Sequence, residues 1–183
     1  MTCPARLNTG VRPYAQRIRE RAADVAFPSE TRQTSEPMPT EVARAEVLID
    51  AKPEAVWRAL TTPETLKQFF FGSDVNADWR AGGAIRFRGE WQGRAYEDKG
   101  TIEVFEPPRR LVYTHFSPLS GAPDRPENYH VVTYALRPAP GGTAVVLTQA
   151  RHDDAAPPSA EARAEFAKNW TMVLEGLKRV VEG

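Results

Sequence analysis

The last part of the chain carries a helical pattern that is long enough to cross a whole sheet. From Ser159 onward the apolar residues recur with a period of 3.6 and form one stripe: Phe166, Trp170, Val173, Leu174, Leu177, Val180 and Val181. A helix of about 23 residues is ~34 Å long. Because such a stripe is stable in water only when it is covered, the helix requires a broad partner surface elsewhere in the chain.

The middle of the chain supplies that surface as β-strands. Within Ala84–Glu90, Ile85 and Phe87 alternate with Arg86 and Arg88, as in a strand with one buried and one solvated face. Further strands are indicated by their apolar patterns and by flanking turn residues: Glu41–Asp50, Ala95–Phe105, Arg110–Phe116, Tyr129–Leu136 and Thr143–Ala150. The short turns between successive strands predict an antiparallel, twisted sheet.

Two short helices are predicted between the first strand and the rest of the sheet. Pro53 and Pro63 suit the first turn of a helix, and Gly72 ends the second one. This order of elements predicts an α+β domain in which a curved antiparallel sheet wraps around the long C-terminal helix. One straight helix cannot fill a curved sheet, so we expect a gap near one end, roofed by the short helices.

The first 39 residues differ in composition from the rest, and the folded domain is predicted to span residues 40–183. This N-terminal extension contains five prolines, and six arginines against four acidic residues. A weak helical stripe over Arg12–Phe27 indicates that it is disordered or partly helical, as a solvated tail or a docking arm. Met38 is an alternative start of translation, which leaves open whether the preceding residues are native.

Composition excludes several classes of function. Lys plus Arg and Asp plus Glu both total 24, so the chain lacks the basic excess that is typical of nucleic-acid-binding proteins. No apolar run approaches the ~20 residues of a membrane span, and no signal peptide is visible. Cys3 is the only cysteine, which excludes an internal disulfide. We therefore expect a cytoplasmic protein that neither spans a membrane nor binds nucleic acid.

The sequence carries no motif for a cofactor or a catalytic centre. Phosphate-binding loops, dinucleotide fingerprints and serine elbows are all missing. His152 with Asp153 and Asp154 matches the spacing of no closed metal site. We expect no metal, no cofactor and no dedicated catalytic residue.

The order and spacing of several short motifs resemble the START-like, or SRPBCC, superfamily with its helix-grip fold. The residues that carry the resemblance are Ala51–Leu60, Thr62–Glu64, Ala81–Gly83 before Phe87, Gly100–Ile102, Pro107–Leu111, Gly142–Thr143 and Trp170. They are most similar to the branch of homologues of the activator of the heat-shock-protein-90 ATPase, over about residues 40–182. The resemblance implies a Bet v 1-like architecture with a hydrophobic ligand cavity between the sheet and the terminal helix.

Aromatic residues carry the hypothesis of a ligand site, because small-molecule sites combine apolar walls with a few polar tips. Eight candidate ligand-binding residues lie on the predicted strands and helices: Phe69, Phe70, Phe87, Trp91, Tyr113, His115, Tyr134 and Trp170. Consecutive helical residues point ~100° apart, so the run Phe69–Phe71 cannot face one core as a whole. His115 shares a strand face with Tyr113, where it either orients a ligand and acts as a base or is simply hydrogen-bonded at the strand end.

Three functions fit these observations. The favoured one is binding of a hydrophobic or aromatic small molecule without catalysis. The second is a polyketide cyclase-like or hydrolase-like enzyme, which requires His115, Tyr113 or an acid such as Glu97 or Asp98 to converge in the cavity. The third is an interaction protein, as a chaperone partner or a homodimer, with an exposed apolar patch around Phe69–Phe71. Eukaryotic ATPase activators carry an additional N-terminal domain, and forty residues are too few to encode it, which argues against a co-chaperone role.

Overall fold

The computed structural model of the protein describes residues 41–151 and 158–183. The predicted N-terminal extension, Met38 and the trio His152–Asp154 lie outside the described residues. The strands are β1 (Glu41–Ile49), β2 (Asp74–Ala77), β3 (Ala84–Trp91), β4 (Arg94–Glu106), β5 (Arg110–His115), β6 (His130–Ala139) and β7 (Gly142–Arg151). The helices are α1 (Pro53–Thr61), α2 (Pro63–Phe69) and α3 (Ala160–Glu182).

The strands form one seven-stranded antiparallel sheet in the order β1-β7-β6-β5-β4-β3-β2. With the long helix α3 packed on the sheet and two short helices after β1, this confirms the predicted α+β helix-grip fold. The sequence pattern missed β2, because a strand of four residues with only Val75 buried gives almost no periodic signal. It continues the sheet beyond β3, where Val75 pairs with Phe87.

The sheet curves because β4 belongs to two parts of it. The first half of β4 pairs with β3, from Arg94 opposite Trp91 to Thr101 opposite Ala84. The second half pairs with β5, and the register shifts between Ile102 and Val104 at the change-over. Because a β-bulge bends its strand and increases the local twist, the two halves of the sheet turn toward each other. The concave face between them holds α3 and the core.

Helix α3 is fixed at both ends. At its start, the Ser159 hydroxyl accepts a hydrogen bond from the Ala162 amide at 3.2 Å, as an N-cap does. Near its end, Lys178 Nζ donates to the Leu48 carbonyl at 2.8 Å, and Glu182 accepts from the Asp50 amide at 2.8 Å. The helix has 23 residues, the length that its pattern predicts. No helix in the described part of the chain is long and apolar enough to cross a membrane.

Helices α2 and α3 touch at backbone distance. A Cβ atom placed on Gly176 of α3 would come within 2.8 Å of the Phe69 Cβ, closer than real Cβ atoms approach. Glycine at this position therefore lets α2 lie directly on the long helix. This contact fixes Phe69 in the core. It also determines how close the next residue, Phe70, lies to the concave face of the sheet.

Candidate functional site

The concave face contains a small, almost wholly apolar cavity under α1 and α2. Its volume is about 10 Å³, which is the room that a single water molecule needs. The residues that line it come from both short helices and from β2, β3, β5 and β6: Leu60, Leu66, Phe70, Val75, Trp79, Ile85, Phe87, Leu111, Tyr113 and Tyr134. The gap that the sequence predicts therefore exists, but side chains almost fill it in this conformation.

Three strands supply an aromatic wall to this cavity. Phe87 lies 5.7 Å from Tyr113, and Tyr113 stacks on Tyr134 at 6.5 Å, measured between ring centroids. Burial raises the pKa of both tyrosines, while a hydrogen bond joins their hydroxyl groups and partly offsets this effect for Tyr113. Both hydroxyls therefore stay protonated, and they are polar tips in an apolar wall.

Phe70 closes the cavity from above. It follows the last residue of α2, is half-buried, stacks on Phe87 with ring centroids 5.2 Å apart, and packs at a tilt against Trp170 of α3 with centroids 6.1 Å apart. Its neighbours behave differently, since Phe69 is buried against α3 and Phe71 is exposed. The three consecutive phenylalanines thus face core, cavity and solvent in turn, and because α2 ends at Phe69, the turn after the helix directs Phe70 and Phe71.

A buried acid and a histidine meet at the edge of the aromatic wall. His115 Nε2 lies 3.0 Å from Asp98 Oδ2, and Asp98 is only 9 % exposed. Asp98 pairs with Phe87 across β3 and β4, so both side chains point to the concave face. The His115 ring contacts the edge of Phe87, with centroids 5.5 Å apart.

A second polar group follows on β6 and β7, and its protonation is determined by its partners. Trp170 Nε1 can only donate, and it lies 2.6 Å from Gln149 Oε1. The Gln149 amide nitrogen then donates to His130 Nδ1 at 2.7 Å, so the hydrogen of the neutral His130 ring is on Nε2. Burial, with help from the charges of Arg151 and His115, lowers the pKa of His130 to about 4, which keeps the ring neutral.

Glu97, the neighbour of Asp98, faces the opposite side of the sheet. Its carboxylate accepts from Arg86 Nη1 at 2.7 Å and from Arg88 Nε at 2.8 Å, and these hydrogen bonds lower its pKa. All three side chains are exposed. Of the two acids that the enzyme hypothesis named, only Asp98 therefore reaches the interior.

Seven of the eight candidate residues lie together around the concave face, and Trp91 does not. Trp91 ends β3 opposite Arg94 and is 50 % exposed. Several cavity-lining residues are not among these eight candidates, for example Leu60, Leu66 and Trp79. Leu60 and Leu66 give only the ordinary signal of a buried helix face, and Trp79 sits in a predicted turn. The described residues contain no group of three or more His, Cys, Asp or Glu placed to hold a metal ion.

The fold and this interior define the molecule as a helix-grip domain with an aromatic-lined pocket. Residues 50–182 match the family described as activator of Hsp90 ATPase homolog 1-like protein, and the chain belongs to this family. It is 45 % identical to ChR145 from Cytophaga hutchinsonii, with a TM-score of 0.65 over 76 % of this chain and 92 % of that one.

More distant structures share the fold. The Aha1 dimer from Colwellia psychrerythraea is 22 % identical, with a TM-score of 0.57 over 76 % of this chain and 95 % of that one. Ara h 8.0201 is 12 % identical, with a TM-score of 0.61 over 75 % of this chain and 95 % of that one. Among curated proteins, none matches the chain. The family match and the 45 % identical structure confirm the superfamily and branch that the sequence motifs resemble, and the more distant structures agree in fold.

Proposed function

We propose that this domain binds a hydrophobic or aromatic small molecule between the sheet and α3, as a cytoplasmic binding protein without catalysis of its own. The observation that carries the proposal is the aromatic-walled cavity with Phe70 across its mouth. Ligand pockets are mostly apolar and aromatic, with a small number of placed polar groups. Tyr113 and Tyr134, which line the cavity, carry hydroxyl groups that can serve in this way.

Ligand entry requires Phe70 to move, because a cavity of about 10 Å³ holds no organic molecule. The segment that carries Phe70 is suited to this movement. Helix α2 has only seven residues and no side-chain cap at its start. Phe71 and Gly72, which follow it, have φ values of 52° and 73°. A positive φ is strained for a residue other than glycine, so displacing Phe71 from this conformation relieves strain.

Native mass spectrometry of freshly purified protein, compared with its denatured mass, tests the proposal. We expect an extra mass that disappears on denaturation, and its value narrows the ligand class. The exposed Trp91→Ala variant serves as the matched control, since Trp91 lies outside the pocket and its loss should leave the extra mass in place. A clean apo mass, together with no thermal shift across a panel of apolar ligands, would overturn the binding function.

A cyclase-like or hydrolase-like enzyme is the second candidate, and the Asp98–His115 pair favours it. The pair joins an acid and a potential base beside the aromatic wall, as the enzyme hypothesis requires. The test is turnover of a substrate found through the bound ligand. A correctly folded His115→Ala variant should lose this turnover, and full retained activity would exclude the enzyme.

Self-association is the third candidate, and a related protein suggests it. The relative from Colwellia psychrerythraea is described as a dimer. In this chain Phe71 and Met172 are large apolar side chains that are 45 % and 47 % exposed. Light scattering coupled to size exclusion measures the molar mass directly. A homodimer gives twice the chain mass, and a monomer with no recovered protein partner excludes this candidate.

A further inference from the structure

We propose that Asp98 and His115 recognise a hydroxyl group on the ligand, so that the ligand is an apolar, aromatic molecule with a neutral hydrogen-bond donor at one end. The inference rests on the proposed binding function and narrows its ligand class. It favours phenols and alcohols over ethers and over carboxylates such as fatty acids.

The position of the pair connects it to the pocket. Phe87 lines the cavity on one side and contacts the His115 ring on the other. Asp98 is the cross-strand partner of Phe87, so its carboxylate lies next to the apolar wall that Phe87 forms. A ligand that replaces Phe70 on the face of Phe87 therefore has its far end close to this carboxylate.

One oxygen of the Asp98 carboxylate is available to accept a hydrogen bond from a ligand. Asp98 Oδ2 is bound by His115 Nε2, which holds the carboxylate in place. Asp98 Oδ1 is buried and has no hydrogen-bond partner among residues 41–151 and 158–183. Buried acceptors in folded proteins are nearly always satisfied, and an unpaired one costs free energy. A ligand hydroxyl that donates to Oδ1 removes this cost, whereas an ether oxygen cannot donate.

Strand β6, which neighbours β5, adds a hydrogen-bond donor to the acceptor on Asp98. His130 pairs with His115 across β5 and β6, so the two side chains share the concave face. Because Gln149 occupies His130 Nδ1, the Nε2–H of His130 is a donor on this face. The concave face thus carries an acceptor on Asp98 of β4 and a donor on His130 of β6, on either side of His115, and a hydroxyl group can both donate and accept. A ligand carboxylate is repelled by Asp98 in a site of low dielectric constant.

Three naphthalene probes separate these chemistries, and their affinities are measured by calorimetry at neutral pH. The probes are 2-naphthol, 2-methoxynaphthalene and 2-naphthoate, which share one aromatic body. For the wild-type protein we expect 2-naphthol to bind about tenfold or more tightly than 2-methoxynaphthalene, the effect of one hydrogen bond to a charged group. We expect 2-naphthoate to bind most weakly.

Two matched variants assign the preference to Asp98. Asp98→Leu should bring the affinity ratio of 2-naphthol to 2-methoxynaphthalene close to one, and Asp98→Asn should lower it in part. Glu97→Leu makes the same change one residue earlier on the outer face, and it should keep the wild-type ratio. Thermal melting establishes that each variant is folded.

The outcomes separate the inference from the function on which it rests. If the wild-type protein binds 2-naphthol and 2-methoxynaphthalene equally, the hydroxyl site is wrong while the binding function stands. An undiminished ratio in both Asp98 variants has the same meaning. If none of the three probes binds, the result counts against the proposed function, and the hydroxyl site falls with it.

Discussion

The two ends of the concave face are filled in different ways. Around β1, β7 and the C-terminal half of α3, branched aliphatic side chains interlock and are at most 1 % exposed: Ile49, Val145, Leu147, Val173, Leu174 and Leu177. Around β3, β5 and the first half of α3, rigid aromatic rings face one another and leave a cavity. Phe70 and Trp170, which cover this end, are only half-buried.

The difference indicates that the two ends of the core contribute to different properties of the protein. Aliphatic side chains pack at the density of organic crystals, and every methylene there contributes to stability. Flat, rigid aromatic rings leave small voids between them. Here the void is covered by Phe70, which lies at the end of a short helix. We therefore expect the aliphatic end to set the free energy of unfolding and the aromatic end to respond to ligands and to pH.

The largest effect is expected from Leu177→Ala at the aliphatic end. Leu177 is completely buried, so its truncation removes buried methylenes and leaves a cavity, at a cost of about 2–5 kcal/mol. Chemical denaturation of wild type and variant measures the loss. Met172→Ala on the same helix is the control, because Met172 is 47 % exposed and its truncation should change stability by less than about 0.5 kcal/mol. Equal losses for the two variants would contradict the comparison.

The next effect is a pH dependence that belongs to the aromatic end. The pKa of His130 is about 4 in the folded protein and near 6.5 in the unfolded chain, so below pH 6.5 the unfolded chain binds the extra proton. Stability from this group is complete above pH 6.5 and is lost as the pH falls toward 4. The loss amounts to about 3 kcal/mol at most.

The pH effect is isolated by subtraction, since other groups titrate in the same range. Unfolding free energies of wild type and His130→Gln are measured between pH 4 and 7. Glutamine keeps a polar side chain but cannot take up a proton, so the difference between the two proteins should shrink as the pH falls. Parallel curves over this window would show that His130 does not supply the dependence.

The sequence predicted the fold because its strongest signals are local and periodic. The alternation through β3 and the 3.6-residue stripe of α3 each specify one buried face, and only one arrangement lets them cover each other. Strand β2 was not predicted because it depends on pairing with β3 rather than on a periodic pattern of its own. Pairing between strands is a non-local property, and four residues carry too little periodicity to reveal it.

The site was predictable to a smaller degree. Alternation placed Phe87, Tyr113 and Tyr134 on the concave face correctly, because each strand has only two faces. Alternation does not determine how deeply a side chain is buried along its strand. It therefore could not distinguish the exposed Trp91 from the buried Phe87 on the same strand. The pairing of His115 with Asp98 joins β5 to β4 and depends on register, which no single strand encodes.

Phe70→Ala tests the aromatic end most directly, although its effect on stability is smaller. Truncating a fully buried phenylalanine costs about 3–5 kcal/mol, and Phe70 is half-buried, so we expect about 2 kcal/mol. The same change opens the pocket, since the ring that stacks on Phe87 and packs against Trp170 is removed. Binding then no longer requires displacement of a side chain, and the affinity for 2-methoxynaphthalene should increase in calorimetry.

The adjacent Phe71→Ala variant controls for this prediction. Phe71 is 45 % exposed and lies outside the cavity, and its ring meets that of Phe70 edge-on at 6.1 Å, so its truncation should leave the affinity unchanged and lower the stability by less than Phe70→Ala does. A gain in affinity with Phe70→Ala alone identifies Phe70 as the closure of the pocket. Equal behaviour of the two variants would mean that ligands enter elsewhere, and that the half-burial of Phe70 reflects packing at the end of α2 rather than a closed pocket.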